Sequence, residues 1–204
     1  LSFDISKGYN FNTNSDTEVI INLYIEYGES CLKYLRGMFA FVIFDRRKNK
    51  LFGARDRLGI KPFYYLLNKD KFIWSSELKG IKMSKNINLT INNDSIDQYL
   101  TYGYICGKNC IYNEVEKLEP GTFFSLLIDN NSSFKTKKYW RLDFQPDYSK
   151  SKDDYIELLK SELDESVKIR MISDVPLGAF LSGGIDSSSV VALMNNHSSS
   201  QIKT

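Results

Sequence analysis

Ser182-Gly183-Gly184-Ile185-Asp186-Ser187-Ser188 stands between an apolar run, Val175 to Leu181, and a helical pattern that continues to Asn196. A strand that runs through a glycine loop into a helix collects unpaired amides and the positive end of a helix dipole at one spot, which binds anions. Two adjacent glycines let a phosphate approach the backbone closely, and the serine hydroxyls add donors around it. Phosphate is therefore the expected ligand. Gly178 and Gly183 have the glycine spacing of a P-loop, but Gly184 and Ile185 occupy the places of its Lys and Ser/Thr. Transfer of a γ-phosphate is not supported by that pattern. The plainer alternative is a tight turn with Asp186 or Ser187 as an ordinary helix cap. Five fixed residues at about one in fifteen each match by chance on the order of 10⁻⁶ times per window, which favours a nucleotide site.

The elements that must carry this loop can be read from spacing. Ser15 and Glu18 form a capping-box pattern, and Val19, Ile20, Leu23, Tyr24 and Tyr27 recur at helical spacing up to Gly28, which predicts a helix over about 16–27. Met38 to Phe44 and Lys50 to Arg55 read as buried strands around the turn at Arg47–Asn49. Residues 62–68 and 71–76 repeat the arrangement around a turn at 68–70. The loop between the pairs, 54–62, carries Arg55, Asp56, Arg57, Gly59 and Lys61 and reads as a solvated or interface turn whose role would be to dock two domains. A polar, Asn-rich stretch, a short helix over 95–102 and a hairpin of 120–129 with 134–142 complete a first domain of residues 1–142. After a charged segment containing Pro146, Tyr155, Leu159, Leu163 and Val167 at four-residue steps predict a helix. Residues 150–204 then read helix, buried strand at 175–181, glycine loop, helix, which opens an α/β unit.

Composition narrows the function classes. The 204 residues, 42% apolar and 14% aromatic, suffice for a packed core. A net charge of +2 without a long basic run speaks against nucleic acid. The longest apolar stretch ends at Asp45, well short of the roughly 18 residues of a membrane span, so no membrane association is expected. Three cysteines and one histidine, His197, assemble neither a zinc cluster nor a Ser/His/Asp triad. Cys31 has no free α-amine or base beside it and reads as packing, and Cys106 and Cys110 are assigned no chemistry. Reduced thiols imply a cytoplasmic protein. The chain begins Leu-Ser-Phe and ends Gln-Ile-Lys-Thr, and is expected to be a piece of a longer polypeptide.

The wording SGGIDSS resembles the pyrophosphate loop of the N-type ATP pyrophosphatases, which cleave ATP between its α- and β-phosphates to adenylate an oxygen. The stretch from SDTEVI through ARDRLGIKPFYY, with SSELKGI, resembles the C-terminal half of the class II glutaminase domain of glutamine-dependent asparagine synthetases. LEPGTFFSL, YWRL and SDVPLGAFLSGGIDSS continue that resemblance in the same order. It covers nearly the whole chain. It implies an α+β fold: a partial Ntn-type α/β/β/α glutaminase sandwich over residues 1–142, followed from about residue 150 by the start of an α/β adenine-nucleotide hydrolase-like domain.

The resemblance also implies roles. Asp16 matches the residue that binds the α-amino group of glutamine. Ser182, Gly183, Gly184, Asp186 and Ser187 match the pyrophosphate-binding loop, Leu181 matches the position whose backbone meets the adenosine part of ATP, and Asp186 is expected to help hold Mg²⁺. Glutamine, aspartate and ATP are the implied ligands, and a homodimer is compatible with the family. The nucleophilic cysteine, the arginine for the glutamine carboxylate and the oxyanion pair belong upstream of Leu1, so the 204 residues alone are expected to be inactive. Relatives of this architecture that amidate a sugar uronate or close a β-lactam ring, and a non-catalytic remnant, stand as alternatives.

Overall fold

The computed structural model describes residues 11–13, 15–69, 71–128, 133–173 and 175–204. The turns expected at 68–70 and beyond Ile128 therefore fall partly outside the described residues, as does Asp174 ahead of the expected strand. The chain divides into two compact units, residues 1–142 and 143–204. Among the described residues no helix is long and apolar enough to cross a membrane.

In the first unit, α1 spans Asp16–Tyr27 and a 3₁₀ turn follows over Gly28–Lys33. The capping differs from the reciprocal box that the spacing predicts. Ser15 Oγ accepts from the Thr17 amide at 3.2 Å, whereas the Glu18 carboxylate reaches further back, to the amides of Asn12 and Thr13, each at 2.8 Å. The Thr13 hydroxyl and then the Asn12 amide hold the Glu18 carboxyl below the usual carboxylate range. The loop ahead of α1 is thus folded onto its first turn, its donors taking the Glu18 carboxylate that a box would have turned to the Ser15 amide, which donates instead to Thr13 Oγ1 at 3.2 Å.

Among the described residues seven strands form two antiparallel sheets. β1 (Ala40–Asp45), β2 (Lys50–Arg55), β6 (Thr122–Leu127) and β7 (Phe134–Lys138) lie in the order β1-β2-β6-β7. β3 (Tyr64–Leu67), β4 (Phe72–Ser75) and β5 (Glu116–Lys117) lie in the order β4-β3-β5. Two further helices, α2 (Leu78–Lys82) and α3 (Asn93–Tyr102), follow β4.

The period-2 alternation of strands separates the layers. Phe52, Ala54 and Phe123 point from the four-stranded sheet into one core with Leu23 and Tyr24 of α1 and with Cys31, Leu32 and Leu35. The Tyr24 and Phe52 rings stack at 5.0 Å, and Tyr24 Oη donates to Asp45 Oδ2 at 3.2 Å, which fastens α1 to the end of β1. Phe124 and Leu126, on the opposite face, pack with Phe63, Tyr65 and Leu118. Phe124 is fully buried, with the Phe72 ring 5.2 Å away, so this second core lies between the sheets. A third core of Leu66, Ile81, Cys110 and Val115 covers the far face of the three-stranded sheet with α2. Helix, sheet, sheet and helix therefore stack in the α/β/β/α order, and the fold class is α+β.

β1 and β7 are the outer strands of the larger sheet. The residues of β1 are only partly buried, and Phe44 is exposed, so the fully buried strand expected from its aromatic sequence is an edge strand. β7 presents Lys135, Lys137 and Lys138 to solvent.

In the second unit, Ser151 caps α4 (Lys152–Lys168) in a reciprocal box: the Asp154 amide donates to Ser151 Oγ at 3.2 Å and the Ser151 amide to Asp154 Oδ2 at 2.9 Å. α5 spans Ile185–His197. His197 Nε2 lies 2.7 Å from Asp164 Oδ1, which joins the two helices above the buried side chains of Val167 and Met194. Residues 175–181 do not form the buried strand that their composition predicts. Phe180 is 99% exposed and Leu181 is half exposed. A parallel strand needs neighbours to take its amides and carbonyls. Here the described contact of that kind is one parallel bridge between Gly178 and Lys203, with the Ala179 amide 2.9 Å from the Lys203 carbonyl.

Candidate functional site

Asp16 is the first residue of α1 and is exposed. Ser15 carries the capping, so the carboxylate of Asp16 is not consumed by it. Its described partner is the adjacent Thr17 hydroxyl, at 3.5 Å. Asp16 lines a cleft of about 520 Å³ together with Thr17 and Ile20 of α1, Met38 to Phe44 along β1, and Lys61, Pro62 and Ser76. The lining is mainly apolar, with Asp16 and Lys61 as its charged residues. A cleft of this composition suits a small polar ligand with an apolar stem. The sequence reading selected Asp16 but missed Lys61, Ser76 and the β1 floor.

The loop that supplies Lys61 is exposed at Leu58, Ile60 and Lys61, as its charges suggest, but one of its charged residues is not. Asp56 is 1% exposed. Its Oδ1 accepts from the amides of Leu58 at 3.2 Å and Ile60 at 3.0 Å, and its Oδ2 from those of Lys61 at 2.9 Å and Phe39 at 3.3 Å. The Arg55 guanidinium closes the loop from the other side: Nε donates to the Lys61 carbonyl at 2.8 Å, and Nη1 and Nη2 donate to the carbonyls of Leu118 and Gly59 at 2.6 Å each. Gly59 has φ +66°, and a Cβ there would lie 2.8 Å from Pro120 Cγ and 3.1 Å from Arg55 Cζ, so both the turn and the space require glycine. Four amide dipoles, together with the attraction of the neighbouring Arg55 guanidinium, stabilise this buried carboxylate. A charged residue followed three positions later by glycine is the signal that could have marked Asp56 as a turn-forming acceptor.

The second candidate lies within residues 143–204. Gly183 has φ +82°, and Gly184 is the N-cap of α5 with extended geometry and no side-chain cap. Asp186 and Ser187 therefore do not cap the helix, as the plain-turn alternative requires. Asp186 sits in the first turn and is exposed. Ser187 Oγ donates to the Gly184 carbonyl at 3.1 Å and lies 3.1 Å from Ser182 Oγ, which draws the two hydroxyls to one side of the loop. A Cβ on Gly183 would meet nothing within 4 Å, and one on Gly184 only Ser182 Oγ at 3.8 Å. The loop thus presents uncapped amides, two hydroxyls and open space beside one carboxylate, a donor set that fits an anion and a bridging divalent cation. Leu181 precedes it, half exposed.

Comparison with known proteins follows the same division. A family described as glutamine amidotransferase domain matches residues 3–140, more than half of the chain, and one described as asparagine synthase matches residues 158–204. A protein of Methanocaldococcus jannaschii provisionally named glutamine-hydrolyzing asparagine synthetase 2 is 48% identical over 186 residues, covering 89% of this chain and 35% of that protein. Glutamine-hydrolyzing asparagine synthetase 1 of Bacillus subtilis is 39% identical over 188 residues, covering 92% and 29%. The chain thus spans about a third of the length of these relatives. Among solved structures, glutamine phosphoribosylpyrophosphate amidotransferase from B. subtilis, complexed with ADP and GMP, aligns with a TM-score of 0.44 at 16% identity, covering 94% of this chain and 40% of that one.

Proposed function

The chain belongs to the glutamine amidotransferase domain family, and from that premise we propose that it is part of an enzyme that amidates aspartate to asparagine with ammonia released from glutamine. In this reading residues 1–142 are the C-terminal part of the glutaminase domain, and residues from about 150 to 204 are the start of the ATP-using domain. What supports the reading most is one conjunction: a glutamine amidotransferase match over 3–140 runs in the same chain into a glycine loop whose helix amides lack a side-chain cap.

The chemistry assigns each group a task. Asp16 accepts hydrogen bonds from the α-ammonium of glutamine at the margin of the β1 cleft. In the second unit an aspartate carboxylate oxygen attacks the α-phosphorus of ATP, the bond to the β,γ-diphosphate breaks, and ammonia then displaces AMP from the aspartyl-adenylate. Amides at the start of α5, with Ser182, Gly183, Gly184 and Ser187, meet the charge that grows on the departing pyrophosphate, where fixed dipoles stabilise a transition state most. Backbone at Leu181 meets the adenosine part, and Asp186 is the residue that would hold Mg²⁺ against the phosphates.

The test is isotopic. The full-length protein carrying this chain, supplied with amide-¹⁵N glutamine, aspartate and ATP-Mg, is expected to form ¹⁵N-asparagine with stoichiometric AMP and pyrophosphate. Formation of ADP and inorganic phosphate, or no dependence on glutamine or ammonia, would overturn the proposal.

A further inference from the structure

We propose that Asp56 is a positioning residue for the glutamine cleft, and that its Oδ2 atom sets the distance between the floor of that cleft and its rim. The inference rests on the glutaminase reading and adds a residue to that site. One atom carries it. Oδ2 accepts from the Lys61 amide at 2.9 Å and from the Phe39 amide at 3.3 Å. Phe39, just ahead of β1, lines the floor, and Lys61 lines the rim of the same cleft as Asp16. The backbone of Asp56 ties in the same parts: its amide donates to the Phe39 carbonyl at 2.8 Å, and its carbonyl accepts from Gly59 at 3.1 Å and Gly121 at 2.9 Å.

Chemistry explains why the residue is an acid rather than an amide. Each carboxylate oxygen accepts from two backbone amides, Oδ1 from Leu58 and Ile60, Oδ2 from Lys61 and Phe39. Asparagine, nearly the same shape, has one acceptor oxygen and one donor nitrogen. In either orientation it turns N–H groups towards two amides, and buried donors facing donors are pushed apart. If the nitrogen takes the place of Oδ2, floor and rim come apart directly. If it takes the place of Oδ1, the Leu58–Ile60 segment that leads to Lys61 is released instead. A geometric error on the order of 1 Å in a substrate-positioning wall is large for a bound small molecule.

The experiment uses the full-length protein carrying this chain. Asp56→Asn is expected to raise KM for glutamine at least tenfold, while the ammonia-dependent rate of the same preparation stays within twofold. Hydrogen–deuterium exchange is expected to quicken at least tenfold in peptides spanning 38–41 and 57–62 and to stay unchanged in β2 and β6. A glutamine KM within twofold of wild type, or equal losses of the glutamine- and ammonia-dependent rates, would overturn the role. Should Asp56→Asn fail to fold, Arg55→Lys loosens the same loop at the Lys61 and Gly59 carbonyls and is expected to raise the KM in the same way. An unchanged KM in that variant counts against the proposal. A wild-type protein without any glutamine-dependent reaction would sink the glutaminase reading, whereas unchanged exchange at 38–41 and 57–62 would sink the role of Asp56 alone.

Discussion

A first side-chain carbon on Gly53 would lie 2.2 Å from Cε1 of Phe124, its partner across the β2–β6 ladder. The ring of Phe124 occupies the space that every other residue type would fill at position 53, and it is held there by Phe63, Phe72 and Phe134 at 5.2–5.7 Å. Overpacking of this kind costs about 1–3 kcal/mol. Gly53→Ala is expected to lower unfolding stability by about that amount in denaturant titration, and a variant as stable as wild type would mean that the two sheets separate more easily than their packing indicates.

The division of labour at the start of α1 makes a second prediction. Ser15 holds the Thr17 amide, whereas the described contact of Asp16 is with the Thr17 hydroxyl, at 3.5 Å. Ser15→Ala is expected to destabilise the chain by about 1 kcal/mol, the usual effect of a lost N-cap. Asp16→Asn is expected to change stability by no more than roughly 0.5 kcal/mol, the helix-dipole contribution of an exposed charge, and to remove glutamine-dependent turnover in the full-length protein. Equal stability losses in the two variants would return Asp16 to a structural role.

At the α5 loop the two glycines can be separated. Gly183 has φ +82°, so Gly183→Ala is expected to strain the backbone by about 1–2 kcal/mol. Gly184 has φ −80° and open space around it, so Gly184→Val is expected to lower the melting temperature only by the modest effect of a poorer N-cap. It would nevertheless place a branched side chain where a phosphate must meet bare amides. Titration calorimetry of the full-length variant with ATP-Mg is expected to show at least a tenfold loss of affinity; unaltered affinity would remove this loop from the nucleotide site.

Asp147 supplies a pH dependence. The Lys150 ammonium and the Ser149 hydroxyl lower its carboxyl to about 2 from an ordinary value near 3.8. A group depressed in the folded state contributes stability above its unfolded value and loses it as pH falls through the folded one. Its contribution should be intact from neutral pH down to about 4–5 and disappear between about 4 and 2. An NMR titration of the Asp147 carboxyl carbon is expected to show a midpoint near 2. A midpoint in the usual aspartate range would mean that the turn before α4 is open in solution. Asp147→Asn removes the titrating carboxyl and should make that turn less sensitive to acid, while Tyr155 Oη still donates to the backbone carbonyl of residue 147.

Local signals carried much of this architecture. Helical spacing and Gly28 delimit α1, and alternation with polar turns delimits the hairpins, because those patterns depend on neighbours in sequence. The pairing of β2 with β6 joins distant segments and leaves no local mark. α2, five residues long, is too short to establish a period. The strand expected at 175–181 shows the converse error: its composition is that of a buried strand, but burial depends on neighbours that composition does not supply. Within the candidate site Asp16 was singled out by the family resemblance, its own motif reading equally as a helix cap. Asp56 was not legible, because density of charge ordinarily means solvent, and here backbone dipoles of four residues replace it.

The lysines of β7 bear on how crowded copies of the molecule behave. A free strand edge is a template on which another chain can grow a sheet. A second copy laid along β7 would have to bring Lys135, Lys137 and Lys138 against the same three ammonium groups. That repulsion, strongest at low ionic strength, turns the outer rim of the larger sheet into a guard against fibril growth, whereas β1 at the opposite rim carries no lysine and exposes Phe44.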